Sequence, residues 1–229
     1  MIDVSDDGTV TTITMDDGKA NALGPQMQAA LNAALDEAEG TGRPLVLAGR
    51  TGRFSGGFDL NVMAAGGDDA LEMVVGGFSL ARRLLAHESP VVVACTGHAI
   101  AAGAFLLLSG DLRIGAAGEF KIAANEVAIG MTMPYSAVEL MRARLEPASM
   151  QRSALLAETF DPIAAVTAGY LDRIVAPEEV LGAAQAAAAA AAALHGGAHQ
   201  ASKRRVRADL LARLDEAIAA DRRDLESLR

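Results

Sequence analysis

Val10-Thr11-Thr12-Ile13-Thr14-Met15 repeats with a period of two and is rich in β-branched residues, which predicts a strand. Asp16-Asp17-Gly18 then reads as a turn. A helix follows, with Pro25 near its first position, Met27, Leu31, Leu35 and Ala38 on one face, and Gly40 placed to stop it. Pro44-Leu45-Val46-Leu47-Ala48 is a short apolar run, predicted as a strand ending at Gly49. The pattern then repeats. Asp69 to Glu88 is helical by periodicity, Val91-Val92-Val93-Ala94-Cys95 reads as a buried strand, and Gly97 breaks it. Ala101 to Ser109 reads as a buried helix, followed by a strand around Leu112-Arg113-Ile114. Strands that alternate with helices predict an α/β core with crossover connections. From Pro134 onward helices dominate, over 135–144, 147–158, 162–168, 178–194 and 202–228. Leu171-Asp172-Arg173-Ile174-Val175 is the one predicted strand among them.

Two strand-to-helix junctions carry candidate chemistry. The first is Arg53-Phe54-Ser55-Gly56-Gly57-Phe58-Asp59-Leu60; the second is Gly97-His98-Ala99-Ile100-Ala101-Ala102-Gly103-Ala104. Glycines and alanines let a ligand approach the backbone, and a helix start leaves amide N–H groups unpaired. Two such junctions can aim two donors at one oxygen, forming an oxyanion hole. Spacing alone leaves open a pair of tight connections with no ligand.

Composition narrows the classes. The chain has 229 residues, a size for one large domain or one domain with an appendage, and 51% are hydrophobic, enough for a sizeable core. The formal charge of −9 argues against general nucleic-acid binding. No apolar run reaches the ~20 residues of a membrane span, and the acidic start Met1-Ile2-Asp3-Val4-Ser5-Asp6-Asp7 lacks a signal-peptide pattern. The single cysteine, Cys95, excludes a disulfide framework and a Cys-based zinc site; in its Val/Ala run it reads as core. His87, His98, His195 and His199 show no convincing ligand spacing, so no metal is expected. A soluble, cytoplasmic protein is expected.

The two junctions resemble the paired oxyanion-hole motifs of the crotonase (enoyl-CoA hydratase/isomerase) superfamily. Four further segments match in order: Lys19-Ala20-Asn21-Ala22-Leu23 resembles an early Asn-Ala-Leu turn, and Asp111-Leu112-Arg113-Ile114 an Asp-x-Arg-Ile strand. Asn125-Glu126-Val127-Ala128-Ile129-Gly130 is similar to a Glu-x-x-x-Gly segment, and Ala168-Gly169-Tyr170-Leu171-Asp172-Arg173-Ile174-Val175 to a late Gly-Leu-Val-Asp strand. The resemblance implies an α/β fold, a spiral of ββα units over 1–175 with a helical C-terminal region over 176–229, the two forming one functional unit. It also implies a homotrimer or homohexamer; an amphipathic C-terminal stripe of Leu210, Leu211 and Leu214 adds a surface that wants a partner.

The resemblance assigns roles as well. The backbone N–H groups of Phe58 and Ala102 would hold the thioester carbonyl of an acyl-CoA substrate; coenzyme A enters as part of that substrate and no separate cofactor is implied. Family hydratases use two glutamates. Here the first of those positions is Phe105 and the second matches Glu126, with Phe120 six positions before it where the family spacing is four. A lone carboxylate implies a Δ3-to-Δ2 enoyl-CoA isomerase with Glu126 as its single acid/base. The alternatives are a hydratase lacking the first glutamate and a non-catalytic acyl-CoA-binding protein. Substrate contacts are expected from Lys19, Ala20, Asn21, Ala22, Ser55, Gly56, Gly57, Asp59, Leu60, Gly103, Phe105, Met131, Met133 and Tyr135. Glu119 and Glu139 are other ionisable candidates, and Ser55, His98 and Asp111 could be set out as a triad, though no nucleophile-elbow pattern accompanies them. Lys203-Arg204-Arg205-Val206-Arg207 reads as a solvated helix face or a CoA phosphate contact.

Overall fold

The computed structural model describes residues 1–227; Leu228, the predicted end of the last helix, lies outside them. In chain order the elements are Ile2–Asp6 (β1), Thr11–Met15 (β2), Pro25–Glu39 (α1), Leu45–Gly49 (β3), Gly52–Ser55 (β4), Leu60–Ala65 (α2), Gly67–Ala86 (α3), Val91–Cys95 (β5), Gly97–Ile100 (β6), Ala102–Leu107 (α4), Leu112–Ala116 (β7), Ile122–Ala123 (β8), Tyr135–Arg144 (α5), Pro147–Leu156 (α6), Pro162–Ala168 (α7), Arg173–Val175 (β9), Val180–Ala192 (α8) and Gly196–Ser227 (α9). A sheet in the order β1-β2-β3-β5-β7-β9 forms the body, and a smaller sheet runs β4-β6-β8. Apart from the antiparallel β1–β2 pair, every ladder is parallel. The chain passes from β3 to β4, from β5 to β6 and from β7 to β8, one strand in each sheet before it turns away. That alternation is the spiral of ββα units.

A parallel sheet is covered on both faces, and its strands show it. Leu45 and Leu47 of β3 join the large core cluster with Val91, Val93, Phe78 and Leu31, while Val46 and Ala48 join a second cluster on the opposite face. That second face is covered by α8, whose Val180, Ala184 and Ala188 are fully buried. An almost all-alanine helix suits this position because small side chains let helix and sheet backbones approach closely.

The long α9 lies against α3 and α5. Its Leu210, Leu214 and Ala217 are buried within the chain, so the C-terminal stripe finds its covering surface internally. The basic cluster divides: Arg204 and Arg205 are exposed, as a solvated face would be, while Lys203 and Arg207 fit neither sequence reading. Lys203 and Arg207, four residues apart on one helix face, are buried and both pair with Asp111 at 2.7 Å, while Arg204 reaches Glu88 at 2.9 Å. Asp111 also accepts from the Val91 amide. Farther along α9, the buried Asp221 carboxylate accepts from the Tyr135 and Ser136 amides at 2.7 and 3.0 Å, capping α5 from outside. No single helix among the described residues is long and apolar enough to cross a membrane.

Candidate active site

The smaller sheet brings the two junctions and the glutamate segment to one edge. Ser55 pairs with Ala99, Ala99 with Ile122, and Ile100 with Ala123, all in parallel register. The chain therefore leaves β4, β6 and β8 at three adjacent points, as Gly56-Gly57-Phe58, Ala101-Ala102 and Ala124-Asn125-Glu126. The carboxyl edge of an open parallel sheet is where such folds hold their ligands.

At the first two exits the backbones touch. Gly57 has φ +95°, and a Cβ there would lie 2.9 Å from the Ala101 Cβ, 3.0 Å from the Ile100 carbonyl oxygen and 3.4 Å from the Ala102 nitrogen. A Cβ on Gly103 would lie 2.5 Å from the Ser55 carbonyl oxygen, so α4 starts hard against the end of β4. Around them the turn at 19–23 is laced to the glycine pair. The Gly56 amide donates to the Ala20 carbonyl and the Leu23 amide to the Gly57 carbonyl, both at 2.8 Å, and the Gly57 amide donates to Ser55 Oγ. Among the described residues, neither the Phe58 nor the Ala102 amide donates to a protein acceptor. Ala102 opens α4, and a first-turn amide has no partner inside its own helix. Ala102 keeps the negative φ its donor requires; the strained residue is Ala101, at φ 52° and ψ −125°.

Glu126 is 5% exposed and its Oε2 has no hydrogen-bond partner. Burial pushes its carboxyl up to about 7. Its backbone is held firmly, because its carbonyl accepts from the Ile129 and Met131 amides. Nearby, the fully buried Tyr170 hydroxyl pairs with Ser153 Oγ at 2.6 Å, and the Glu126 charge reinforces burial in raising the phenol's pKa. The sequence reading missed this hydroxyl pair. A tyrosine inside an apolar stretch, whose hydroxyl must find a partner once buried, was its signal.

The other ionisable candidates are engaged elsewhere or face solvent. Glu139 pairs with Arg142 and Arg213, and Glu119 is exposed. Ser55 Oγ donates to the Asn21 carbonyl, His98 Nδ1 accepts from the Lys121 amide, and Asp111 holds Lys203 and Arg207, so these three form no triad. Cys95 is buried and its thiol is pushed up to about 12. No group of three or more metal-ligating side chains occurs among the described residues.

The residues expected at the substrate lie in several different places. Ala20, Ser55, Gly56, Gly57 and Gly103 lie at the touching exits, and Lys19 is exposed at their rim with its carbonyl bound by Arg50. Asn21 is fully buried: its Nδ2 donates to the Met15, Arg53 and Phe54 carbonyls and its Oδ1 accepts from the Asp17 backbone amide. Its side chain therefore fastens the turn to β4, and Ala22 is held by Asp17. Asp59 caps α2, whose Leu60 is 72% exposed. Phe105 is 1% exposed and stacks on Phe78 at 5.8 Å, in the core. Met131 and Met133 are half-buried and Tyr135 is exposed, on the segment linking Glu126 to α5.

The enoyl-CoA hydratase/isomerase family model matches residues 5–229. An enoyl-CoA hydratase from Mycobacterium ulcerans is similar in structure at TM-score 0.93 and 49% identity, over 96% of this chain and 97% of that one. A Mycobacterium tuberculosis protein, described as an enoyl-CoA isomerase with one structure and as a probable enoyl-CoA hydratase with another, is similar at 0.91 and 48%, over 99% and 97%. Human mitochondrial Δ3-Δ2-enoyl-CoA isomerase is similar at 0.92 and 25%, over 99% and 91%. With a matching family model along nearly its whole length and this spiral fold, the chain belongs to the enoyl-CoA hydratase/isomerase family of the crotonase superfamily.

Proposed function

We propose that this enzyme moves the double bond of a 3-enoyl-CoA to the 2-position. The observation that carries the reading is Glu126: a buried carboxylate with an unpartnered oxygen, on the segment that leaves the smaller sheet next to the exits carrying Phe58 and Ala102, whose amides have no protein acceptor among the described residues, and with Phe105 in place of a second acid. The thioester oxygen takes the Phe58 and Ala102 N–H groups. Ionised Glu126 removes a proton from C2, and the electron pair moves into a dienolate whose negative oxygen the two amides stabilise. The proton held by Glu126 then returns at C4, the C2–C3 double bond forms and the carbonyl is restored. One group near neutrality can do both steps, since its proton affinity suits taking and giving at physiological pH. Each amide contributes roughly 3–4 kcal/mol to the transition state.

Hydration needs a water molecule to be oriented and deprotonated, and a phenylalanine in the core can do neither. Purely non-catalytic binding would leave the cost of a desolvated carboxylate without a use. The test is turnover of a 3-enoyl-CoA, followed by the absorbance of the conjugated thioester, beside hydration of a 2-enoyl-CoA. Isomerisation that Glu126→Gln abolishes supports the reading; equal activity in both proteins removes Glu126 from the mechanism, and dominant hydration replaces it with the hydratase. The family resemblance also supports a trimer or a dimer of trimers. Val127, Ile129, Leu155 and Leu156 offer exposed apolar surface where α6 packs beside the 127–129 turn, and sedimentation velocity would measure the assembly.

A further inference from the structure

Two adjacent glycines, Gly76 and Gly77, sit in the middle of α3, where glycine weakens a helix relative to alanine. Each leaves a gap that another side chain fills. A Cβ on Gly77 would lie 2.4 Å from Phe58 Cε1 and 2.8 Å from its Cζ, so the Phe58 ring rests on bare backbone, edge-on to Phe78 at 6.1 Å. A Cβ on Gly76 would lie 2.4 Å from Gln28 Oε1. Gln28 Nε2 donates to the Leu23 and Met73 carbonyls at 2.8 Å, and the Leu23 backbone amide in turn donates to the Gly57 carbonyl at 2.8 Å.

Both contacts end on the same peptide unit. The Gly57 carbonyl and the Phe58 N–H belong to one rigid plane, so a bond that fixes the carbonyl on one side aims the N–H on the other. We infer that the Gly76-Gly77 step of α3 is a positioning device: it seats the Phe58 ring and, through Gln28 and Leu23, the Gly57 carbonyl, and thereby aims the Phe58 amide at the substrate oxygen. This rests on the Phe58 amide acting as an oxyanion donor. Gly77 and Gln28 are thus positioning residues, remote from the reacting atoms.

The test is Gly77→Ala, read three ways. Turnover of a 3-enoyl-CoA should fall about 100-fold in kcat with KM little changed, the cost of a donor displaced by about 1 Å. Thermal stability should change little, because the helix gain from alanine offsets the cost of the displaced ring. The infrared carbonyl band of bound butyryl-CoA, isotope-labelled at that carbon, should move back toward its position in water. Phe58→Ala removes the clash but leaves the N–H, so the double variant should match Phe58→Ala alone and exceed Gly77→Ala. Wild-type kcat and band position in Gly77→Ala, or a double variant no better than Gly77→Ala, would overturn the inference. If the wild type shifts the band but does not isomerise, the isomerase reading fails and the band alone decides the inference. If the wild type shifts no band, Phe58 is no donor and the inference falls with it.

Discussion

Replacing Glu126 by glutamine preserves the size of the side chain and removes its charge, which separates the cost of burying the carboxylate from the use made of it. The group is 5% exposed, and burial lifts it from an ordinary 4.5 to about 7. At about 1.4 kcal/mol for each tenfold change in proton affinity, the difference is worth about 3 kcal/mol. Between those two values the folded chain keeps a proton that the unfolded chain has released. Stability from this group is therefore fully present below about pH 4.5, declines as pH rises through about 7, and stays level above it. Glutamine has no charge to desolvate. Glu126→Gln should match the wild type near pH 4.5 and exceed it by up to about 3 kcal/mol near pH 8. Urea unfolding monitored across that range measures the difference. In the same variant kcat for 3-enoyl-CoA isomerisation should fall by about 10³-fold. Stability curves that stay parallel at every pH would refute a desolvated carboxylate, and with it the reason for placing the base here.

Other expectations follow from the same physics. The wild-type kcat/KM should rise from acid pH and level off above about 7, since only ionised Glu126 can take the C2 proton; a flat profile would argue against it. Asp111→Asn leaves Lys203 and Arg207 buried beside a neutral partner, and chemical denaturation should show a loss of roughly 3–5 kcal/mol. Ala101→Gly relieves a side chain held at φ 52° and should stabilise by about 1 kcal/mol in a thermal melt. Phe105→Glu puts a charge between Phe78 and the core and should cost more than about 3 kcal/mol, so loss of folding, and not hydratase activity, is the expected outcome.

How much of this was legible before the structure depends on how each element is buried. β2, β3, β5 and β7 carry continuous or alternating apolar runs because both faces of the larger sheet are covered, and all four were readable. The strands that build the site were not. β4 and β6 hold four residues each and mix glycine with polar side chains, so they read as turns, and β8, Ile122-Ala123, is too short to show any period. β1 lies at a sheet edge with most of its side chains exposed, and α2 buries none, so neither leaves a hydrophobic signature. That the segments carrying Gly57, Ala102 and Glu126 leave the smaller sheet side by side was reached through family resemblance, because it depends on parallel pairing between stretches far apart in sequence. The basic cluster failed differently: the four-residue spacing of Lys203 and Arg207 marked one helix face, but their acid partner lay 92 positions from Lys203.

The cap that Asp221 places on α5 links residues 86 and 85 positions apart, and it ties the segment just after Glu126 to α9. Long-range contacts of this kind assemble late in folding, after local helices have formed. Until α9 docks, the first amides of α5 are open to water. Their rate of hydrogen exchange would thus report opening and closing of α9 against the body, and any event that loosens α9 would reach Glu126, the proposed base, through the ground on which it stands.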